Sequence, residues 1–255
     1  PTYIAGAMVL VRALVHDLAL ILVEPCQNPL SQIPPQYIHL ASFVPTQWAT
    51  MLDSGIHLSD YFKQAKGILL GGASVSDSLR KDYGFPVYET YGMTETVSHI
   101  AYRTWNQSYF QTLPGVQIAQ TDEDCLLICA PTTENKWIET RDVVELVAAG
   151  QFVLKGRLDR VINSGGIKLQ PEKIEQVYRS LTSLPLFVAG IPDAFWGNKL
   201  VLFLESSMPM SFSVEPGLLS SAEIPKEIIC LPSFIKTASA KIDTAKTVAL
   251  YLNSL

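Results

Sequence analysis

Charge is scarce in this chain. Asp, Glu, Lys and Arg make up 17% of its 255 residues, against 48% hydrophobic residues. That balance excludes a disordered chain and fits a globular one with real cores. No basic run exists, and the formal net charge is −5. A nucleic-acid partner is therefore not expected, because nothing is clustered to neutralise phosphates. Cysteine is also sparse: Cys26, Cys125, Cys129 and Cys230 are scattered. Cys125 and Cys129 lie four apart without a His or a second Cys pair, which argues against zinc. Reduced thiols in a cytoplasmic protein are the expectation. No apolar run reaches the roughly 18 residues that a membrane span needs. The opening PTYIAGAMVLVRALVHDLALILV is interrupted by Arg12, His16 and Asp17. It lacks a basic leader and a cleavage pattern, so it does not read as a signal peptide. The chain lacks an initiator Met as well, and is expected to begin partway through a longer protein.

The apolar pattern alternates between helix and strand periods. Met8, Val11, Leu14 and Val15 share one face of a helix predicted over Ile4 to Val15, which is expected to be buried. Leu18 to Val23 is a continuous apolar run of strand length. Strands are also expected at Ile38 to Val44 and Ile68 to Leu70, with helices near Thr46 to Leu52 and Ser76 to Lys81. Short strands follow at Gln117 to Ala119, Leu126 to Cys129, Val143 to Val147 and Phe152 to Lys155. Ala148-Ala149-Gly150 between the last two is a hairpin signal. Beyond Gly156 to Arg160 the pattern changes. Pro171 opens a helix whose apolar face carries Ile174, Val177, Tyr178 and Leu181. Strands at Phe187 to Ile191, Leu200 to Leu204 and Ile228 to Leu231 precede a last helix, Thr244 to Leu252. The expected fold is α/β: a larger N-terminal α/β region with a β-rich subdomain (1–158), then a small α+β domain (159–255).

The densest chemistry lies in Tyr88-Glu89-Thr90-Tyr91-Gly92-Met93-Thr94-Glu95-Thr96. Tyr91 offers a flat face for a base, and Gly92 lets a ligand approach the backbone. Thr94 can donate to a phosphate oxygen. Glu95 can hold magnesium, which takes hard oxygen ligands and is often shared with phosphates. The bland alternative is a polar strand-to-loop connection.

YETYGMTE resembles the Y-G-x-T-E signature of the adenylate-forming superfamily, which includes acyl-CoA synthetases, peptide-synthetase adenylation domains and luciferases. Three further stretches match in the same order: Thr140-Arg141-Asp142, GRLDRVINSGGIKLQPEKIE from Gly156 to Glu175, and KTASAKID from Lys236 to Asp243. Within the superfamily, SFVPTQ from Ser42 to Gln47 and LLGGA from Leu69 to Ala73 are similar to the o-succinylbenzoate–CoA ligase branch, which serves menaquinone biosynthesis. So is the opening YIAGAMVLVRAL, although Tyr3 stands where that branch often has His.

The resemblance implies an AMP-forming ligase that uses ATP, Mg2+ and coenzyme A on a small-molecule carboxylic acid. Gly71, Gly72 and Ala73 would frame the adenine beside Tyr91 and Gly92. Asp142 would accept hydrogen bonds from the ribose hydroxyls, with Arg157 as a second ribose contact. The catalytic set would be Thr94, Glu95 and Lys241, with Glu95 as the magnesium ligand. Asp159 would be the hinge of a mobile C-terminal lid. Gly165, Gly166 and Lys168 would face the site during thioester formation. Two departures stand out: Arg141 replaces the Gly of T-G-D, and Ala240 replaces the Gly before the lysine. The second carboxylate of o-succinylbenzoate needs a cation or donors, for which Arg12, Ser42 and Thr96 are candidates. His99, just after the central motif, has two readings: a pocket-lining residue or a satisfied structural histidine. The family's Ser/Thr/Gly-rich phosphate loop has no counterpart in this sequence. Another aryl- or acyl-CoA ligase and a non-catalytic nucleotide-binding fragment therefore stay open, as does a homodimer.

Overall fold

The computed structural model describes residues 4–237 and 242–254. The chain forms two compact units: 1–140 with 144–154, and 141–143 with 155–255.

The first unit opens with helix α1 (Ile4–His16). Strand β1 (Leu40–Phe43), helices α2 (Pro45–Asp53) and α3 (Ser59–Phe62), and strand β2 (Gly67–Leu70) follow. Then come β3 (Val87–Gly92), β4 (His99–Arg103), β5 (Phe110–Thr112), β6 (Gln117–Gln120) and β7 (Cys125–Cys129). Two longer strands, β8 (Ile138–Ala148) and β9 (Gln151–Arg157), cross between the two sets of residues. All nine belong to one sheet, in the order β1-β2-β3-β4-β5-β9-β8-β7-β6. The first three strands run parallel, and β4 turns antiparallel to β3. Trp48, Met51 and Phe62 of α2 and α3 pack on Ile68 and Leu70 of β2. A second core joins Tyr91, Ile100, Phe110, Leu126, Ile128, Val144 and Phe152. Pro45 sits in the first turn of α2, where its missing N–H costs nothing.

Three expectations fail here, the first two for one kind of reason. Helix α1 forms, but its apolar face is not buried: Leu14 is 84% exposed and Val15 71%. Leu18 to Val23 does not become a strand; it finds no ladder partner among the described residues, and Leu22 is 78% exposed. An apolar run specifies burial only where another element covers it. The helix expected at Ser76 to Lys81 shrinks to one 3-10 turn, Asp77–Leu79. Ser76 and Ser78 pair their hydroxyls there at 2.8 Å, the side-chain competition that keeps such residues out of helices. The central stretch, in turn, is strand through Gly92. Its polar content is absorbed because Glu89 accepts from Arg80 Nη2 and Arg103 Nε, each at 2.9 Å.

The second unit holds the hairpin β10 (Ile162–Ser164) and β11 (Ile167–Leu169), then helix α4 (Pro171–Leu181). Strands β12 (Leu186–Asp193), β13 (Gly197–Glu205) and β14 (Glu227–Leu231) form a separate sheet, and helix α5 (Thr244–Leu252) closes the chain. Side chains alternate across this sheet. Leu186, Val188, Leu200, Leu202 and Leu204 face Ile174 and Tyr178 of α4. Phe187, Val201 and Phe203 face the other way, toward Val248 and Tyr251 of α5. With both faces covered, β13 reads as an unbroken apolar run. The mixed α/β class matches the expectation. Among the described residues, no helix is long and apolar enough to cross a membrane, and the four cysteines are free thiols.

Candidate functional site

Parallel pairing of β1, β2 and β3 puts their C-terminal ends on one edge of the sheet. In open α/β sheets that edge is where ligands bind. Val44 follows β1, Gly71-Gly72-Ala73 follows β2, and Met93 to Thr96 follows β3. Antiparallel β4 begins at the same edge with His99. The expected segments thus converge although the sequence separates them by tens of residues. Gly72 and Ala73 are exposed, as is Ser42 near the end of β1.

Beyond β3 the chain makes one 3-10 turn, Thr94–Thr96. Thr94 and Glu95 project from it as exposed side chains. Gly92 has a structural reason of its own: a Cβ there would meet Ser98 O and His99 Cα, both at 2.5 Å. The glycine is needed by the neighbouring strand backbone, before any ligand is considered. Tyr91 is 8% exposed, with its ring 5.2 Å from Phe152 and 5.8 Å from Phe110, centroid to centroid. Most of its surface therefore belongs to the core. Thr96 departs from expectation. It is 0% exposed, and its hydroxyl is engaged with Met93 and Ser98 backbone, so it is not available to touch an acid.

Arg12 reaches this edge from α1. Its Nη2 donates to Ser98 Oγ at 3.2 Å, and Ser98 Oγ lies 3.4 Å from His99 Nδ1. The guanidinium is half-buried, and burial lowers its pKa, though it stays a cation. Burial, then the nearby Arg12 charge, holds the His99 pKa below the ordinary imidazole value. Among the described residues Arg12 makes no ion pair. Ser98 and His99 were not singled out together in the sequence; only their place just after the motif could have pointed to them.

The second unit carries a different cluster. Asp142, 7% exposed, accepts from Arg157 Nη1 at 3.2 Å. Arg157 also grips Asp159 with two bonds, Nε to Oδ1 at 2.9 Å and Nη2 to Oδ2 at 2.7 Å. The Arg157 hydrogen bond holds the Asp159 carboxyl below its usual range. Asp159 and Arg160 sit in a single 3-10 turn. Arg160 then pairs with Glu172 Oε1 at 3.0 Å and with Glu175 Oε1. Glu175, 2% exposed, also accepts from Arg179 and from the Val188 backbone, each at 3.0 Å. This buried carboxylate ties the turn to α4 and β12. Sequence reasoning passed over it, although Arg179 at i+4 was a visible signal.

Gly165 and Gly166 form the turn of the β10–β11 hairpin, with φ of 58° and 81°. Two successive positive φ values suit a two-residue hairpin turn and favour glycine. Gly165 N donates to Trp196 O at 2.8 Å. Lys168 is exposed on β11. Lys241 lies outside the described residues. Among those described, no group of three or more His, Cys, Asp or Glu side chains could hold a metal. A single exposed carboxylate, Glu95, does fit magnesium, an ion that keeps waters and substrate phosphate oxygens in its shell.

No family model matches the chain. Among curated proteins it is similar to 2-succinylbenzoate–CoA ligase of Enterococcus faecalis, at 29% identity over 235 residues, covering 76% of this chain and 48% of that protein. The Haemophilus influenzae enzyme of the same name is 31% identical over 198 residues, covering 70% and 44%. The chain thus spans about half the length of the curated relatives it matches. Among solved structures, an o-succinylbenzoate coenzyme A synthetase from Bacillus subtilis in complex with AMP shares the fold. It is 22% identical, with 94% of this chain and 57% of that one covered and a TM-score of 0.79. An acyl-CoA synthetase (AMP-forming)/AMP-acid ligase II-like protein from Dyadobacter fermentans is 35% identical, covers 97% of this chain and 75% of its own, and gives a TM-score of 0.58. At that identity and coverage, and with four motifs in the same order, the chain belongs to the AMP-forming acyl-CoA synthetase family.

Proposed function

We propose that the intact protein is a cytoplasmic ATP-dependent acid–CoA ligase acting on an acid with a second carboxylate, o-succinylbenzoate of menaquinone biosynthesis being the favoured one. The observation that carries this reading is Arg12: a half-buried guanidinium with the Ser98 hydroxyl as partner, two residues beyond the Thr94–Thr96 turn at the sheet's C-terminal edge. A half-buried cation without a carboxylate partner is favoured when an anion arrives. Arg12 and Ser98 would bind the carboxylate that does not react, and Ser42 would border it.

The reacting carboxylate attacks the α-phosphorus of ATP, and pyrophosphate leaves. The thiol of coenzyme A then attacks the acyl carbon, and AMP leaves. Such transfers depend on positioning and on charge stabilisation. Thr94 would hold a phosphate oxygen. Glu95 would hold magnesium, which neutralises phosphate charge when bound. Gly71, Gly72, Ala73, Tyr91 and Gly92 would border the nucleoside. Asp142 would accept from the ribose hydroxyls, held in place by Arg157. Lys241 would bridge the acid and the α-phosphate. Residues 159–255 would act as a lid turning at Asp159, with Gly165, Gly166 and Lys168 lining the thiol's approach.

The test is mass spectrometry of the full-length protein with ATP, magnesium, coenzyme A and o-succinylbenzoate, beside benzoate and a medium-chain fatty acid. Selective formation of o-succinylbenzoyl-CoA and AMP is expected. Product from another acid alone would keep the ligase chemistry and end the substrate assignment. No adenylate or thioester from any acid would point to a non-catalytic nucleotide-binding protein.

A further inference from the structure

Val97 adopts φ 64° and ψ −45°. For a β-branched residue this is a costly conformation. It forms the centre of a three-residue turn, closed by Ser98 N donating to Thr96 O at 2.6 Å. Turns of this type with positive φ at the centre are rare and strained. The strain persists only if its surroundings over-determine it, and Thr96 supplies the means. Its buried hydroxyl accepts from Met93 N at 3.0 Å, and its single hydrogen lies between Met93 O at 3.0 Å and Ser98 O at 2.9 Å. The other side is walled by Gly92, where the β3–β4 register shifts and the Ser98 carbonyl has no room for a Cβ. The residue delivered by this turn is Ser98, the partner of Arg12.

We infer that Thr96 is a positioning residue: its hydroxyl clamps the strained turn at Val97 and thereby keeps Ser98 Oγ against Arg12. The readout on substrate rests on the proposed ligase function; the clamp itself does not. A Thr hydroxyl suits the task because it is short, donates and accepts at once, and is stiff at χ1.

The experiment compares Thr96→Val, Thr96→Ser, Val97→Gly and the Thr96→Val/Val97→Gly double variant in the full-length protein. Thr96→Val, nearly isosteric, should raise KM for o-succinylbenzoate about tenfold while KM for ATP moves less than about twofold. Thr96→Ser should stay within about twofold of the parent, since it keeps the donor and acceptor. Glycine at 97 removes the strain, so Thr96→Val should cost about threefold or less in that background, a coupling that independent sites do not show. Without any substrate, hydrogen exchange at the Ser98 amide should quicken about tenfold or more in Thr96→Val and not in Thr96→Ser.

Unchanged Ser98 exchange in Thr96→Val would overturn the clamp. Faster exchange with unaltered acid KM would overturn the positioning role. An equal cost of Thr96→Val with and without Val97→Gly would overturn the link to strain. If the parent protein converts no dicarboxylic acid, the ligase reading fails separately. The clamp then stands or falls on the exchange result.

Discussion

Arg157 belongs to the second unit and Arg12 to the first, and their surroundings differ. Arg157 is bracketed by Asp142 and Asp159, with two bonds to the latter. Arg12 meets a serine hydroxyl and a neutral-leaning imidazole, and no acid among the described residues. The Arg157 guanidinium is compensated and therefore spends its charge on geometry. Its fork fixes one carboxylate that is nearly buried and one at the turn. Arg12 carries charge in a half-buried place without an acidic partner among the described residues, and burial lowers its pKa. Compensated charge orders a site; uncompensated charge selects an anion.

The largest effect that tests this contrast comes from removing the uncompensated charge. Arg12→Ala should lower kcat/KM for o-succinylbenzoate about 100-fold, roughly 3 kcal/mol, as expected for a desolvated charge pair losing one partner. Benzoate, with no second carboxylate, should change by less than about threefold. Arg12→Lys should recover only part of the loss, because an ammonium cannot present a planar fork. Steady-state kinetics on both acids decides it. An equal loss on benzoate would mean that Arg12 supports the fold or the nucleotide and does not select the acid.

A smaller effect is expected at the compensated arginine. Arg157→Ala removes one partner of Asp142 and the Nε and Nη2 bonds to Asp159. ATP affinity measured by calorimetry should fall about tenfold, near 1.4 kcal/mol. The preference for o-succinylbenzoate over benzoate should hold. Asp142→Asn should weaken ATP to a similar degree, since it halves the acceptor capacity offered to a ribose diol. If either substitution alters acid preference instead, the division of labour between the two arginines is wrong.

The same contrast shows what the sequence could disclose. Most of the second unit was legible because β13 is buried on both faces and α4 has a clean apolar stripe; local pattern and final burial agree there. The segment 4–23 was misread in part because its pattern calls for a covering layer that the described residues do not provide. Among the candidate site residues, Asp142, Arg157 and Asp159 were proposed from motifs, and the fold brings them within hydrogen-bond reach of one another. Arg12 was a candidate for the second carboxylate, with a helix residue snorkelling to solvent as the alternative. Its partner Ser98 lies 86 positions away and required the β3–β4 bulge to be seen. Thr96 was misassigned because a hydroxyl beside a motif looks the same in sequence whether it meets a ligand or the backbone. Only its burial tells the two apart.

The smallest expected effect lies between Arg12 and His99 and measures how much of the uncompensated charge its neighbour feels. Burial is the first cause of the lowered His99 pKa and Arg12 the second. Removing the guanidinium should therefore raise the pKa only partway, still short of the ordinary value of about 6.5. Titration of the His99 ring by NMR in the parent and in Arg12→Ala reads this directly. The sign for stability follows from linkage. The folded state binds the His99 proton less readily than the unfolded state. His99 therefore contributes stability that is fully present above about pH 6.5 and lost as pH falls through its folded pKa. Denaturant unfolding at a series of pH values should show this loss in the parent and a flatter profile in His99→Gln. In Arg12→Ala the decline should shrink without vanishing. A full return of His99 to the ordinary pKa in that variant would make Arg12 the main cause and burial the minor one. The imidazole would then report the charge that an anionic substrate is meant to neutralise.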